Sequence, residues 1–587
     1  MDEPAVRAGL AEADITVGPL HRNLPAPELI ARSLARGEGI FAANGALVVT
    51  TGERTGRSPA DRYIVDEPEA ADVAWNGVNQ PCTPEFFDRQ VRRVSDYLRR
   101  REVYVFDGFI GTDPNYRTPI RVVSRASWHG LFAHTLFVRP EPIDLEGFDP
   151  AFTLINCGEL PVDARPEGEN GGGGDRPSQA FVGISFSRRL ILILGTMYGG
   201  ETKKSLFTTM NYLLPARDVL PMHCSATAGV KGDVALYFGL SGTGKTSLSA
   251  DPTRRLIGDD EHGWSAHGVF NFEGGCYAKV IRLSEEHEPQ IFNAIRFGSI
   301  LENVIIDPLT RAIDWDDGSI TENTRATYPV SHIPGAVETG LGGMPRNVFL
   351  LACDAYGVLP PISRLTPEMA SYHFLSGFTA KVAGTEAGCV EPTPTFSACF
   401  GAPFMPREPM VYADMLAERL RVSRTQCWLV NTGWSGGGCE SGRRMPIEIT
   451  RSLLKAALEG ALDDVPKLAD PVFKVEVPLS CPGVPAELLD TRSTWSDTEE
   501  HARRAARLAE QFAANFESFA GRVSPAVAAT GPQLPACAGV PPGAGPTGSH
   551  PSAGRPPVGP ATWRSDLDDH LRTRARRLVP GSLRTSE

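Results

Sequence analysis

The chain has 587 residues, 41% hydrophobic and 22% charged, with a formal net charge of -12. This is a globular composition, long enough for more than one core, since single cores stop growing near roughly 250 to 300 residues. The acidic balance and the lack of a dense basic stripe in the main body exclude nucleic acid as an expected partner.

The longest apolar runs, such as Leu190–Leu194 and residues 348–352, are strand length and far short of the roughly 20 residues of a membrane span. No membrane partner is therefore expected. The 11 cysteines are scattered without paired CxxC spacing, and the start MDEPAVRAGL lacks a charged segment followed by an apolar one. Both features fit free thiols in a reducing cytoplasm.

In chain order, residues 30–65 read as a helix-like segment, then a strand over 46–51 (ALVVTT), then the turn-rich stretch GERTGRSPADRYIV. Thr83, Pro84 and Glu85 spell an N-cap, a first-turn proline and a first-turn acid. Phe87, Val91, Val94 and Leu98 follow at helical spacing and are read as core. VYVFDGF (103–109) and the run at Leu190–Leu194 predict further strands, and GENGGGGD (168–175) predicts a flexible surface loop. This N-terminal α/β half is expected to span 1–218. A second mixed α/β half, expected over 219–534, carries short strands broken by Gly and Pro, with a helix start at Thr366, Pro367 and Glu368.

From residue 535 the composition shifts to Pro, Gly, Ala and Ser, which predicts a disordered tail over 535–587. Its arginine-rich end carries Leu567, Leu571 and Leu578 near helical spacing, a pattern able to dock on a partner.

GLSGTGKTS (239–247) matches the phosphate-cradling pattern GxxxxGK[ST], with Gly239, Gly244, Lys245 and Thr246 in place. In such a loop the backbone N–H groups of Gly239, Leu240, Ser241, Gly242, Thr243, Gly244 and Ser247 can curl around phosphate oxygens. Lys245 reaches the terminal phosphates, and the Thr246 hydroxyl can ligate magnesium. The preceding DVALYF (233–238) reads as the buried strand that delivers the loop. Asp251 and Pro252 break the helix signal after Leu248 and Ser249, so the helix behind the loop is predicted to be unusually short.

Around the loop stand Lys203, Lys204, His223, Asp259 and Asp260, residue types able to meet at one cation. Singly these are weak signals, because a lone histidine near a strand is more often structural and paired acids more often form a solvated turn. Their order strengthens them: an apolar stretch ending in Asp after a phosphate loop is where a second acid can hold magnesium or its water shell.

GTMYGGETKK, MHCSA, the phosphate loop, LIGDDEHGW, NFEGGCYAK and TENTR occur in the order seen in ATP-dependent phosphoenolpyruvate carboxykinases, which this chain closely resembles. TGRSPADRYIV, FTAKVAGTE and EPTPTFSACFG extend the likeness, which covers about residues 29–534. The resemblance implies an α/β protein of two mixed domains, the C-terminal one holding an atypical P-loop, with the active-site cleft between them. It implies conversion of oxaloacetate and ATP into phosphoenolpyruvate, ADP and carbon dioxide. Decarboxylating a β-keto acid leaves an enolate, whose developing negative oxygen needs a Lewis acid and fixed cations before it attacks the γ-phosphate.

By resemblance, Lys204, His223 and Asp260 ligate Mn²⁺, and Thr246 ligates the Mg²⁺ that travels with ATP. A lysine ligand must be neutral, a state that the metal and cations such as Lys203 favour. Lys203, Lys204, Lys245, Asp259 and Arg325 are implied catalytic residues. Arg57, Tyr198 and Lys204 hold the substrate, arginine being suited by a planar fork that binds carboxylate or phosphate bidentately. Lys204, His223 and Arg325 adjoin the nucleotide's phosphates, and Glu288, Arg444 and Thr450 match positions near its ribose and base.

The chain departs from the family pattern at NTGWSGGGCESGRR, where Cys439 and Arg443 replace a tyrosine and a lysine. The lysine-to-arginine change keeps charge but not shape, which bears on base contacts and nucleotide affinity. Met197 also replaces a usual tryptophan, a mild packing change. Two alternatives stay open: a P-loop small-molecule kinase acting on another acid, and a non-catalytic nucleotide-binding regulator. The expected assembly is a monomer or a small homo-oligomer.

Overall fold

The computed structural model describes residues 3–163, 179–240, 243–249, 251, 253–381 and 393–533. The loop expected at 168–175, the tail expected over 535–587, and Ser241 and Gly242 of the phosphate loop lie outside the described residues. So do the side chains of Thr246 and Ser247.

The architecture is mixed α/β, built on three main sheets. The first has eight strands in the order Leu20–Arg22, Val103–Ile110, Thr118–Ser124, Phe152–Cys157, Leu190–Leu194, Phe181–Ser185, Arg62–Val65 and Gln80–Cys82. Both faces are covered, and side-chain alternation along the strands sorts residues between them. Val103 and Val105 join the core under the Pro84–Leu98 helix, while Tyr104 and Phe106 face the opposite core with Leu131, Phe132 and Phe207. The predicted cap is present, since Thr83 accepts a hydrogen bond from the Phe86 backbone N–H at 3.2 Å.

The second sheet has ten strands. At its centre Val234–Phe238 runs parallel to Pro345–Ala352, which runs parallel to Gln426–Asn431. Leu236 and Phe238 enter one core, Ala235 and Tyr237 the other, so the strand that delivers the phosphate loop is clamped on both faces. The helix behind the loop covers only Lys245–Ser249, as the Asp251 and Pro252 break predicts.

The third sheet orders Gly275–Lys279, Arg325–Pro329, Ile300–Glu302, Leu47–Val49 and Ile40–Phe41. Leu47–Val49 pairs in parallel with Ile300–Glu302, so strands from either side of residue 218 share this sheet. Its Leu47, Val49 and Ile300 join the core that Tyr104 and Phe106 of the first sheet enter. Among the described residues no helix is long and apolar enough to cross a membrane.

Candidate active site

A cavity of about 640 Å³ is lined by residues of the second and third sheets and of the Gly199–Leu213 helix. The second sheet supplies Gly239, Leu240, Thr243, Gly244 and Lys245 at the end of its central strand, with Asp259 and Asp260 beyond Arg255–Gly258. His223 comes from Leu220–Ala228, and Arg444 and Thr450 from the segment after Gln426–Asn431. The Gly199–Leu213 helix brings Lys204, with Tyr198 at its N-cap. The third sheet brings Arg325, and Arg57 and Glu288 complete the predicted set on the wall.

The loop is shaped by glycine at two points. Gly244 has a φ of +87°, and a Cβ on Gly239 would sit 2.3 Å from Thr243 Oγ1. A side chain would be strained at Gly244 and crowded at Gly239.

Asp260 is the electrostatic hub. Lys245 Nζ lies 2.5 Å from its Oδ1, and Lys204 and Lys203 lie 2.7 and 3.0 Å from its Oδ2. Burial pushes its carboxyl up, but Lys203, Lys204 and Lys245 together outweigh burial and hold it well below the usual carboxylate range. Lys204 also donates to Glu261 at 2.7 Å.

Lys203 does not line the cavity. It lies behind it, 1% exposed and 2.9 Å from Glu273. Against the pull of burial, Asp260 and Glu273 keep its ammonium well above its ordinary value. Asp259 does line the cavity, and its buried Oδ1 has no hydrogen-bond partner among the described residues.

His223 shows that this donor set suits a metal ion. Its Nδ1 donates to the Phe400 carbonyl at 2.7 Å, which leaves a lone pair on Nε2, 3.0 Å from Asp260 Oδ1. Burial, then Lys245 and Lys204, lower its pKa to about 3, so the ring is neutral at pH 7. Two acceptor atoms that close call for a cation shared between them, and Lys204 Nζ, another nitrogen donor, lies on the same carboxylate.

Arg57 makes no side-chain hydrogen bond or ion pair among the described residues. Its guanidinium sits over the Phe404 ring, 4.5 Å from the centroid, with its polar edges free for a ligand. Arg325 is fixed by Asn323, whose Oδ1 accepts from its Nε at 3.1 Å and its Nη2 at 2.8 Å, and the same side chain donates to Tyr198 OH at 3.2 Å.

Several lining residues were not found in the sequence: Tyr277, Lys279, Phe404 and Thr432, with Glu261 and Glu273 behind them. Burial, then Arg325, lowers the Lys279 ammonium below its ordinary value. Lys279 and Tyr277 stand inside the quoted NFEGGCYAK segment, where strand alternation was the available signal. Phe404 follows EPTPTFSACFG without any local pattern of its own. Cys439 and Arg443 are not among the lining residues.

A family profile described as phosphoenolpyruvate carboxykinase, of the ATP-dependent class, matches residues 19–487. The chain belongs to this family. Phosphoenolpyruvate carboxykinase (ATP) 2 of Moorella thermoacetica is 57% identical over 506 residues, 86% of this chain and 95% of that protein. Phosphoenolpyruvate carboxykinase (ATP) of Thermus thermophilus is 54% identical over 517 residues, 87% and 96% of the two chains. That of Geobacillus kaustophilus is 52% identical over 503 residues, 85% and 94%. The carboxykinase family profile thus contains the whole cavity just described, from Arg57 to Thr450.

Proposed function

We propose that the chain catalyses the ATP-dependent decarboxylation and phosphorylation of oxaloacetate to phosphoenolpyruvate, ADP and carbon dioxide, serving gluconeogenesis in the cytoplasm. What supports this reading most is the meeting, around one cavity, of a phosphate loop, the Lys204–His223–Asp260 cluster and an Arg57 whose side chain makes no hydrogen bond or ion pair among the described residues. In it, residues 1–218 act as the substrate-binding domain, 219–534 as the nucleotide and metal domain, and 535–587 as a tail.

Arg57 takes a substrate carboxylate in its guanidinium fork, and Tyr198 shapes the same wall. Lys245 and Arg325 neutralise the terminal phosphates, and the glycine loop presents N–H groups to them. Neutral His223, with Lys204 and Asp260, would hold Mn²⁺, and Thr246 would hold the Mg²⁺ of the nucleotide. Such an ion supplies Lewis acidity where the enolate oxygen develops charge. Lys203 remains a fixed cation behind the cluster. Glu288, Arg444 and Thr450 serve the ribose and base.

Purified protein given ATP, oxaloacetate, Mn²⁺ and Mg²⁺ is expected to form phosphoenolpyruvate, and its absence would overturn the reading. Lys204→Ala should lower turnover by at least about a hundredfold, as loss of a charge-stabilising group does, while ATP binding by calorimetry persists. Unchanged phosphorylation of another acid by that variant would favour a kinase instead.

A further inference from the structure

The Gly199–Leu213 helix carries a polar stripe that adjoins Lys204. Glu201, 6% exposed, lies there one turn before Lys204, followed by Ser205 and Thr208 at i+4 and i+7. This face packs along the segment that carries Arg57. Glu201 Oε1 accepts a hydrogen bond from the Ser58 backbone N–H at 2.6 Å, and Thr208 Oγ1 accepts from Arg62 Nη1 at 3.3 Å. A side cavity of about 20 Å³, bordered by Arg57, Glu201, Lys204 and Phe404, separates the two ties.

Arg62 is anchored independently, donating to the Val78 carbonyl at 3.1 Å and to Asn79 Oδ1 at 2.7 Å. Arg57 has no such hydrogen-bonded anchor among the described residues: its side chain stacks on Phe404 and meets Glu201 only through the attraction of their charges. Its position is therefore set by its backbone. On one side that backbone is held by Asn323, which donates to the Thr55 carbonyl at 2.8 Å, and on the other by the bond from Ser58 to Glu201. A buried carboxylate accepting an N–H is a strong, directional tie, and losing it strands a donor.

We propose that Glu201 is a positioning residue for the reaction. It latches the Arg57 loop to the helix that carries Lys204, so the guanidinium for the substrate and the lysine of the cation site keep a fixed separation. The proposal rests on the carboxykinase reading above. It requires that weakening the latch reach the oxaloacetate side of the site and spare the ribose and base side, where Glu288, Arg444 and Thr450 come from other elements.

The test uses the full chain. Wild-type protein is first assayed for phosphoenolpyruvate, where failure would overturn both the reading and the latch. Glu201→Ala is then expected to raise KM for oxaloacetate about ten- to a hundredfold, the factor set by a hydrogen bond to a charged group. KM for ATP should stay within about twofold, since no contact there is lost. Glu201→Gln, which keeps the acceptor and the shape, should recover KM for oxaloacetate to within about threefold. Glu201→Asp keeps the charge but withdraws the acceptor by one methylene, so it carries the same expectation as the alanine variant if that variant does not fold. The latch is overturned if both KM values rise together, if the glutamine variant is as defective as the alanine one, or if KM for oxaloacetate does not move.

Discussion

Three lysine side chains and a neutral imidazole converge on the single carboxylate of Asp260. Arg444 borders the cavity away from this hub, donating to the Thr432 carbonyl at 3.3 Å. Arg443, its neighbour, is exposed, and Cys439 sits 3.3 Å from Glu440, whose carboxylate pairs with Arg504. The family departures at Cys439 and Arg443 therefore lie outside the cavity lining. Steady-state kinetics at fixed oxaloacetate should show KM for ATP unchanged within about twofold in Cys439→Tyr and Arg443→Lys, but raised about tenfold or more in Arg444→Ala. Equal effects at 443 and 444 would contradict this placement. Lys245 was legible because a phosphate loop demands residues at fixed offsets. Phe404 and Thr432 were not, because their roles depend only on what the chain brings beside them.

Legibility at the scale of elements followed local chemistry. The Pro84–Leu98 helix announces itself through Thr83, Pro84 and Glu85, and its apolar residues recur on one side. Thr83→Ala should lower unfolding stability by about 1 kcal/mol in denaturant titration, the usual worth of a side-chain cap, with turnover intact. No loss of stability would mean that the 3.2 Å bond to Phe86 contributes nothing. The Gly199–Leu213 helix gave no comparable signal. It opens on two glycines and is polar along much of its length, yet thirteen of its residues are buried, from Gly199 to Tyr212. A helix enclosed all round has no apolar stripe to read, and its polar residues make sense only against Asp260, Glu273 and Ser58.

Across the whole molecule, buried histidines tie stability to pH, His129 and His373 among them. His129, which donates to the Met197 carbonyl at 2.8 Å, packs against the first sheet, and His373 lies in the Pro367–Ser376 helix over the second. Burial lowers each to about 4. The unfolded chain takes up these protons near pH 6.5, whereas the fold resists them until about 4. Stability is therefore complete above 6.5 and falls as pH drops through that window, by up to about 3 kcal/mol per histidine. Denaturation midpoints measured from pH 7 to 4 should fall steadily, with a shallower slope in His373→Gln. A flat profile would argue against buried neutral rings.

The sequence by itself determined the phosphate loop, the short helix behind it, the strands that deliver it and the resemblance to one family, because each rests on local spacing or on motif order. Tertiary structure alone decided the third sheet, where Thr51 donates to Asn303 across 252 positions. It also supplied the physical reason that Asp260, the acid assigned by resemblance, differs from Asp259: three lysines converge on Asp260 alone. Long-range pairing and summed charge are properties of the packed chain, and no window of sequence contains them.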